Sequence, residues 1–116
     1  RLIESGRRYV DFGLKHSDLY DLMFLMRSPM EAIQEQECWV LGLATHQMFT
    51  EMVRDCQTAG HFRGRDPDAV TYTLWCHVHG MVALFVRDRM KMYPEDQRLE
   101  LLKNSFAMLE EMAKNL

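Results

Sequence analysis

The chain has 116 residues, a formal net charge of −3 at pH 7, and 47% hydrophobic against 27% charged residues. This length suits one domain with one core, and the composition excludes a disordered or membrane-spanning chain. Net negative charge makes it a poor candidate for holding a nucleic-acid backbone by itself. Few glycines and prolines, and more Leu and Met than Val and Ile, favour helices over strands. We therefore predict one all-α domain over residues 1–116, a bundle of about five helices.

Local signals place the first three helices. The first covers residues 1–15, and the second begins at Ser17, a residue type that commonly caps a helix N-terminus. The third begins with a capping box at residues 28–31, where Pro occupies the first helical position. It runs to about residue 59 and ends at Gly60, because glycine accepts the left-handed backbone that closes a helix.

The fourth helix begins at Asp66 and Pro67, and the fifth opens at Pro94 and runs to the C-terminus. Two neighbouring apolar stripes cover about half of the fifth helix. The first stripe contains Leu99, Leu102, Phe106, Leu109, Ala113 and Leu116, and the second contains Leu101, Met108 and Met112. Either the helix is wedged into its own core, or one stripe packs internally while the other meets a partner chain.

The fourth helix is apolar nearly all round and therefore needs cover on nearly every side. It includes a face of small residues around Gly80, which costs ~1 kcal/mol relative to Ala inside a helix. Close approach of another backbone would offset this cost. We therefore predict a two-fold homodimer whose interface is a four-helix bundle of the last two helices of each chain. The predicted interface residues are Leu74, Val78, Gly80, Met81, Phe85, Leu102, Phe106, Leu109 and Ala113.

The three cysteines, Cys38, Cys56 and Cys76, are an odd number without a CxxC spacing. This pattern argues against a disulfide framework, and we interpret all three as small buried hydrophobic residues in a reducing, cytoplasmic compartment. We expect no membrane-spanning run, because polar residues such as His46 interrupt the longest apolar stretches. The chain starts without Met as though inside a helix, so we expect a further segment before Arg1.

The segment of residues 73–81 contains Trp75, His79 and Gly80 in the order Trp-x-x-x-His-Gly. This order resembles the signature of the WHG-type C-terminal domain of TetR-family transcriptional regulators. Residues 9–24 are similar to the opening segment of that domain, although Ser17 stands where relatives often have Pro. Ala59-Gly60-His61-Phe62, followed by Asp66-Pro67, resembles the loop that leads into the motif helix.

The resemblance implies the effector-binding and dimerisation domain of a one-component repressor. In such regulators an N-terminal helix-turn-helix reads DNA, and the C-terminal helical domain binds a small molecule. The helix-turn-helix would precede Arg1, and this chain has no basic recognition helix. DNA would therefore be bound only through that missing domain. Effector binding would then act by changing the placement of the first helix relative to the third.

Trp75 and His79 lie one turn apart on one helix face, where they either satisfy core packing or border an effector cavity. His46 and Thr50 place polar groups in an apolar stretch, which suits either a structural role or a small-molecule pocket. The ten Met residues either fill the core or make an adaptable pocket for an apolar or aromatic effector. The candidate effector-binding residues are Phe12, Phe24, Trp39, Leu43, His46, Phe49, Thr50, Tyr72, Trp75 and His79.

Catalysis has little support, because no nucleophile elbow or glycine-rich phosphate loop occurs in the sequence. No enzyme activity and no cofactor are predicted. His77 and His79 point roughly 200° apart on one helix and cannot bind one metal ion together. A metal- or haem-binding bundle assembled across helices, and a free-standing helical interaction module, remain the alternative functions.

Overall fold

The computed structural model describes the backbone of residues 1–25 and 37–116 and the side chains of residues 1–25 and 43–116. The helices are α1 (Leu2–Lys15), α2 (Ser17–Tyr20), α3 (Glu37–Thr58), α4 (Pro67–Val86) and α5 (Arg98–Lys114). A π-helical turn, Asp21–Leu25, follows α2, and a 3-10 turn, Glu95–Gln97, precedes α5. These ranges contain no strand, which confirms the all-α prediction. The predicted start of the third helix at residues 28–31 lies outside the described residues.

The connection between α3 and α4 is closed by the local signals that the sequence predicts. Gly60 has φ 101°, and the His61 amide donates to the Cys56 carbonyl at 3.0 Å, which closes the C-terminus of α3. The Asp66 carboxylate accepts a hydrogen bond from the amide two residues later at 3.2 Å, and Pro67 occupies the first turn of α4. Both helix ends therefore follow from residues beside them in the chain.

The main core lies where α1, α2, α4 and α5 meet. Gly13 of α1 faces Val82 of α4 so closely that a Cβ on Gly13 would clash with one Val82 methyl group and lie 3.1 Å from the other. Glycine at this position lets the two helices approach each other. The buried residues of this core are Val10, Tyr20, Val78, Val82, Leu102 and Leu109.

A second, smaller core lies at the end of the molecule that carries the start of α1. Val53 of α3, Phe62 of the α3–α4 loop and Val70 of α4 are buried there, and Leu2 packs against them. The two cores share Leu74, which packs against both. The N-terminus of α1 is therefore held by α3 and α4 through apolar contacts.

Phe62 is buried although its backbone φ is 51°, a left-handed value that bulky residues seldom adopt. The Gln57 side-chain amide donates to the Phe62 carbonyl at 3.2 Å and to the Arg65 carbonyl at 2.7 Å. The burial of the ring and these two hydrogen bonds fix the loop to the last turn of α3.

The two apolar stripes of α5 have different environments. Leu102 and Leu109 of the first stripe are buried against α1 and α4. Met108 and Met112 of the second are 62% and 51% exposed. One stripe therefore packs internally, and Met108 and Met112 of the second are not covered by any described residue.

Most of the predicted interface residues pack against the two internal cores of the single chain. Val78, Leu102 and Leu109 are buried in the same cluster as Val10 of α1. Further residues of the predicted interface also pack against the two internal cores, half-buried. They are Leu74, Met81, Phe85, Phe106 and Ala113.

Gly80 is the exception among the predicted interface residues, since it lies on the open side of α4. No described atom comes within 4 Å of the position that a Cβ on Gly80 would occupy. Cys76, one turn earlier, is exposed rather than buried as expected, and Cys56 is half-buried. The side chain of Cys38 lies outside the described residues.

By length and composition alone, α4 could cross a membrane, with 20 residues and a mean hydropathy of 1.4. This corrects the expectation that no run of the chain reaches that length. The core helix of a bundle passes the same test, and Val78 and Val82 of α4 are core residues here. The helix packs against α1, α3 and α5, so its apolar character has an explanation within the fold.

Candidate functional site

An aromatic cluster forms where α1, α2, the π-helical turn and α4 meet. Its members are Tyr9, Tyr20, Phe24, Trp75 and His79. The ring centroids of Tyr20 and Phe24 are 4.9 Å apart, and those of Trp75 and His79 are 6.1 Å apart. Helical spacing places Trp75 and His79 one turn apart on α4. The close approach of α1 to α4 then brings Tyr9 against both.

A chain of hydrogen bonds joins the polar atoms of the aromatic cluster. The Trp75 indole Nε1 donates to the Tyr9 hydroxyl at 3.2 Å, and the hydroxyls of Tyr9 and Tyr20 are 2.7 Å apart. The Tyr20 hydroxyl lies 2.6 Å from Nδ1 of His79, while the Tyr9 hydroxyl is 3.5 Å from the same nitrogen. The indole N–H, the two hydroxyls and Nδ1 of His79 therefore all find hydrogen-bond partners within the cluster.

Burial shifts the titration of these groups towards their neutral forms. It raises the pKa of the Tyr9 hydroxyl above its ordinary value, although the hydrogen bonds with Tyr20 and Trp75 act in the opposite direction. Burial, followed by the hydrogen bond with Tyr9, raises the pKa of Tyr20 strongly. Burial also lowers the pKa of the His79 imidazole, because the charged form loses solvation. Near pH 7 the aromatic cluster is therefore uncharged.

Five of the predicted site residues come together at or beside the aromatic cluster. Phe24, Trp75 and His79 belong to it, and the rings of His46 and Tyr72 each lie 6.4 Å from that of Trp75. This placement leaves their role in ligand binding a prediction.

The sequence reasoning did not include Tyr9 and Tyr20 among the site residues. Each carries a hydroxyl on a predicted helix, and a buried hydroxyl requires a partner. That requirement was the available signal. The partners themselves are distant in sequence, since 70 positions separate Tyr9 from His79.

A depression of about 600 Å³ runs along α3 and reaches Asp68 at the start of α4. The predicted residues Leu43, His46 and Thr50 line it, together with Arg54. The Thr50 hydroxyl donates to the His46 carbonyl at 3.1 Å, so it is already satisfied within α3. Because His46 also contacts the ring of Trp75, it connects the depression to the aromatic cluster.

The remaining predicted site residues lie elsewhere or outside the described side chains. Phe12 packs against the main core, and its ring lies 5.2 Å from that of His16. Phe49 is half-buried on α3. Trp39 lies in the part of α3 whose side chains are not described. Over the described residues, no group of three His, Cys, Asp or Glu side chains is placed to hold a metal ion.

A family model described as "Tetracyclin repressor-like, C-terminal domain" matches residues 2–109. No curated protein and no solved structure matches the chain. The family match extends from the start of α1 through most of α5 and contains the whole aromatic cluster. It confirms the resemblance found at Trp75, His79 and Gly80. The chain therefore belongs to the tetracycline repressor-like C-terminal domains, a family of ligand-sensing regulator domains rather than an enzyme class.

Proposed function

We propose that this domain senses a small, mostly apolar or aromatic effector for a cytoplasmic, bacterial transcriptional repressor. The observation that carries the proposal is the uncharged aromatic cluster around Trp75 and His79, which His46 connects to an open depression of about 600 Å³. Mostly apolar sites with a few placed polar groups, and volumes of roughly 300–1,000 Å³, are typical of small-molecule binding. The aromatic cluster supplies the apolar part, since the depression is also lined by Glu51, Arg54 and Asp68. DNA would be bound only by a helix-turn-helix domain joined before Arg1.

The contacts between α1 and α3 suggest how such a signal would travel. The Ser5 hydroxyl donates to the Met52 sulfur at 3.3 Å, and the Arg1 guanidinium lies 3.8 Å from the Asp55 carboxylate. Leu2 packs into the second core beside them. An effector that binds one placement of α3 better than another would therefore shift α1 and whatever precedes it.

Thermal denaturation with defined probes tests the effector proposal. We expect 2-acetylnaphthalene to raise the melting temperature, and glucose 6-phosphate and AMP to leave it unchanged, because the aromatic cluster offers no charge. Trp75→Ala should abolish the response, while Met92→Ala, at an exposed position in the α4–α5 loop, should retain it. Stabilisation by the charged probes alone would contradict the proposal.

We further propose that the domain forms a homodimer through the outer face of α4 and α5. The outer face is defined by Gly80, Leu84, Met108 and Met112, whose side chains or open Cβ position face away from the main core. Exposed apolar residues of this kind mark interaction surfaces when they are contiguous. This face includes Gly80, which the sequence also predicts at the interface. It does not include the predicted residues that pack against the internal cores.

Sedimentation at tens of micromolar protein tests the dimer. The wild-type domain should sediment as a dimer, and Leu84→Glu combined with Met108→Glu should give a folded monomer, because each introduces a charge into the interface. Met92→Glu is the control and should remain dimeric. A monomeric wild-type domain would contradict the proposal.

The coding sequence before Arg1 separates a regulator from a free-standing interaction module. A small basic three-helix unit with a helix-turn-helix would agree with the regulator. An initiator codon immediately before Arg1 would favour the module.

A further inference from the structure

The hydrogen-bond chain in the aromatic cluster has one direction in which every hydroxyl proton finds an acceptor within the cluster. An indole N–H donates and cannot accept, so the Tyr9 oxygen must accept the 3.2 Å bond from Trp75. Tyr9 then gives its single proton to its nearest acceptor, the Tyr20 oxygen at 2.7 Å. Tyr20 in turn gives its proton to Nδ1 of His79 at 2.6 Å. Nδ1 is therefore an acceptor.

This direction fixes the tautomer of His79. A neutral imidazole that accepts at Nδ1 carries its proton on Nε2. If Nδ1 were protonated, it would donate to the Tyr20 oxygen, and the Tyr20 hydroxyl would then donate to the Tyr9 oxygen. The Tyr9 hydroxyl proton would then have no acceptor within the aromatic cluster. The aromatic cluster therefore holds His79 as a neutral imidazole with an N–H at Nε2.

Nε2 of His79 makes no hydrogen bond to the residues that the structure describes, and the imidazole is only half-buried. The rings of Trp75 and Phe24 lie 6.1 Å and 6.4 Å from it, and these residues are 40% and 38% exposed. Within the described part of the chain, Nε2–H is thus a donor without a partner, on a ring that lies beside two partly open aromatic rings.

We infer that the His79 Nε2–H is the polar recognition point of the effector site, and that the effector is a neutral aromatic compound carrying a hydrogen-bond acceptor such as a carbonyl oxygen. The inference rests on the proposed effector-binding function. A neutral acceptor fits better than a carboxylate, because the cluster's own polar groups are all uncharged and anions are usually bound by charge-assisted donors.

Two probes of nearly equal size isolate the contribution of the acceptor. 2-Acetylnaphthalene and 2-ethylnaphthalene share the ring system and differ by a carbonyl oxygen in place of two hydrogens. Equilibrium dialysis of the whole domain at pH 7.5 should give the acetyl compound about tenfold higher affinity, as expected for one well-placed hydrogen bond. Equal affinity for the two probes would overturn the inference while leaving the effector site in place. Binding of neither probe would overturn the proposed function, and the inference with it.

The His79→Asn variant separates the donor from the structural role of the ring. Its side-chain oxygen can take the place of Nδ1 and accept the proton of Tyr20, and its NH2 group then lies on the Cδ2 side of the former ring, so no donor remains at the position of Nε2. The variant should remain folded, with its preference for the acetyl probe reduced to within about twofold. His77→Asn makes the same exchange at an exposed position of α4 and should keep the full preference. Retention of the tenfold preference in His79→Asn would overturn the inference.

A direct reading of the tautomer requires no ligand. The ¹⁵N chemical shifts of the His79 ring should show Nδ1 unprotonated and Nε2 protonated at pH 7.5, and Tyr20→Phe should convert this to a mixture of tautomers. A proton on Nδ1 in the wild-type domain would overturn the inference whatever the domain binds.

Discussion

The inner and outer faces of α4 and α5 are both apolar in sequence, yet the residues that the structure describes bury only the inner one. On the inner face, Val82 and Leu102 are packed under α1. On the outer face, Leu84 and Met108 are exposed. Hydropathy thus shows that both faces need cover but does not show which one the chain covers itself. The inner face is buried because α1 packs on it, and Gly13 allows α1 to approach Val82 of α4 closely.

Gly13 of α1 and Gly80 of α4 make the same contrast at single positions. Gly13 has Val82 against it so closely that a Cβ would clash. Gly80 has no described atom within 4 Å of its Cβ position. Close packing against Val82 therefore explains the glycine at position 13. The described residues offer no such explanation for the glycine at position 80. In the proposed homodimer, the partner chain would supply it.

Truncation on the two faces should give the largest difference in stability. We expect Leu102→Ala to lower the free energy of unfolding by about 2–5 kcal/mol, because it leaves a cavity in the main core. Met108→Ala should change it by within about 0.5 kcal/mol at high dilution, where no partner covers the outer face. Urea unfolding at several protein concentrations measures both. Comparable losses at high dilution would contradict the assignment of the faces.

Adding a methyl group at Gly13 probes the approach of α1 to α4. Gly13→Ala should lower the free energy of unfolding by about 1–3 kcal/mol, because overpacking exceeds the gain in helix propensity. Combining it with Val82→Ala should restore part of the loss, since the smaller residue makes room for the new methyl group. Strict additivity of the two substitutions in denaturant unfolding would argue against the close contact.

Removing the hydroxyl of Tyr20 tests the polar part of the inner face. Tyr20→Phe should cost about 1–2 kcal/mol of unfolding free energy, because the Tyr9 proton and His79 Nδ1 lose their shortest partners. Tyr72→Phe, on an exposed ring of α4, is the matched control and should be within about 0.5 kcal/mol of the wild type. Thermal or urea unfolding would distinguish them, and equal stability of the two variants would refute a structural role for the hydrogen-bond chain.

Gly80→Ala should have a smaller effect, with a sign that depends on assembly. For the isolated chain we expect a gain of about 1 kcal/mol, because Ala favours helix over Gly and the added methyl group meets no described atom. In the proposed dimer the same methyl group should weaken association. Denaturation at high dilution and sedimentation at tens of micromolar measure the two effects separately, and unchanged association would count against close packing at Gly80.

The pH dependence of stability should report on His79. Burial lowers its pKa, so the folded state binds the proton less readily than the unfolded state. The resulting stabilisation is complete above about pH 6.5, the ordinary histidine value, and is lost as the pH falls from there towards the folded pKa. Urea unfolding between pH 7.5 and 5.5 should therefore show a steeper loss for the wild type than for His79→Asn. If the unfolding free energies of the two proteins fell in parallel with pH, His79 would not be the source of the pH dependence.

Sequence reasoning succeeded where the cause is local. Gly60 and Asp66–Pro67 mark helix ends through contacts with residues a few positions away, and the one-turn spacing of Trp75 and His79 places both on one side of α4. It could not supply Tyr9 or Tyr20 as their partners, because that depends on how α1 crosses α4.

The choice between the two stripes of α5 was beyond the sequence for a related reason. Leu102 and Met108 lie on neighbouring apolar stripes, and periodicity treats both as candidates for burial. Only the position of α1 and the main core distinguishes them. The prediction of a paired assembly stays a prediction, now placed on the outer face.

The double hydrogen bond from Gln57 has a consequence for proteolysis. Arg63 and Arg65 are trypsin targets in a surface loop, the kind of segment that is commonly nicked. However, the buried Phe62 ring and the two carbonyls held by Gln57 keep this backbone from entering a protease cleft in extended form. Cleavage there requires the loop to detach from α3 first, so trypsin should cut it more slowly than its arginine content suggests.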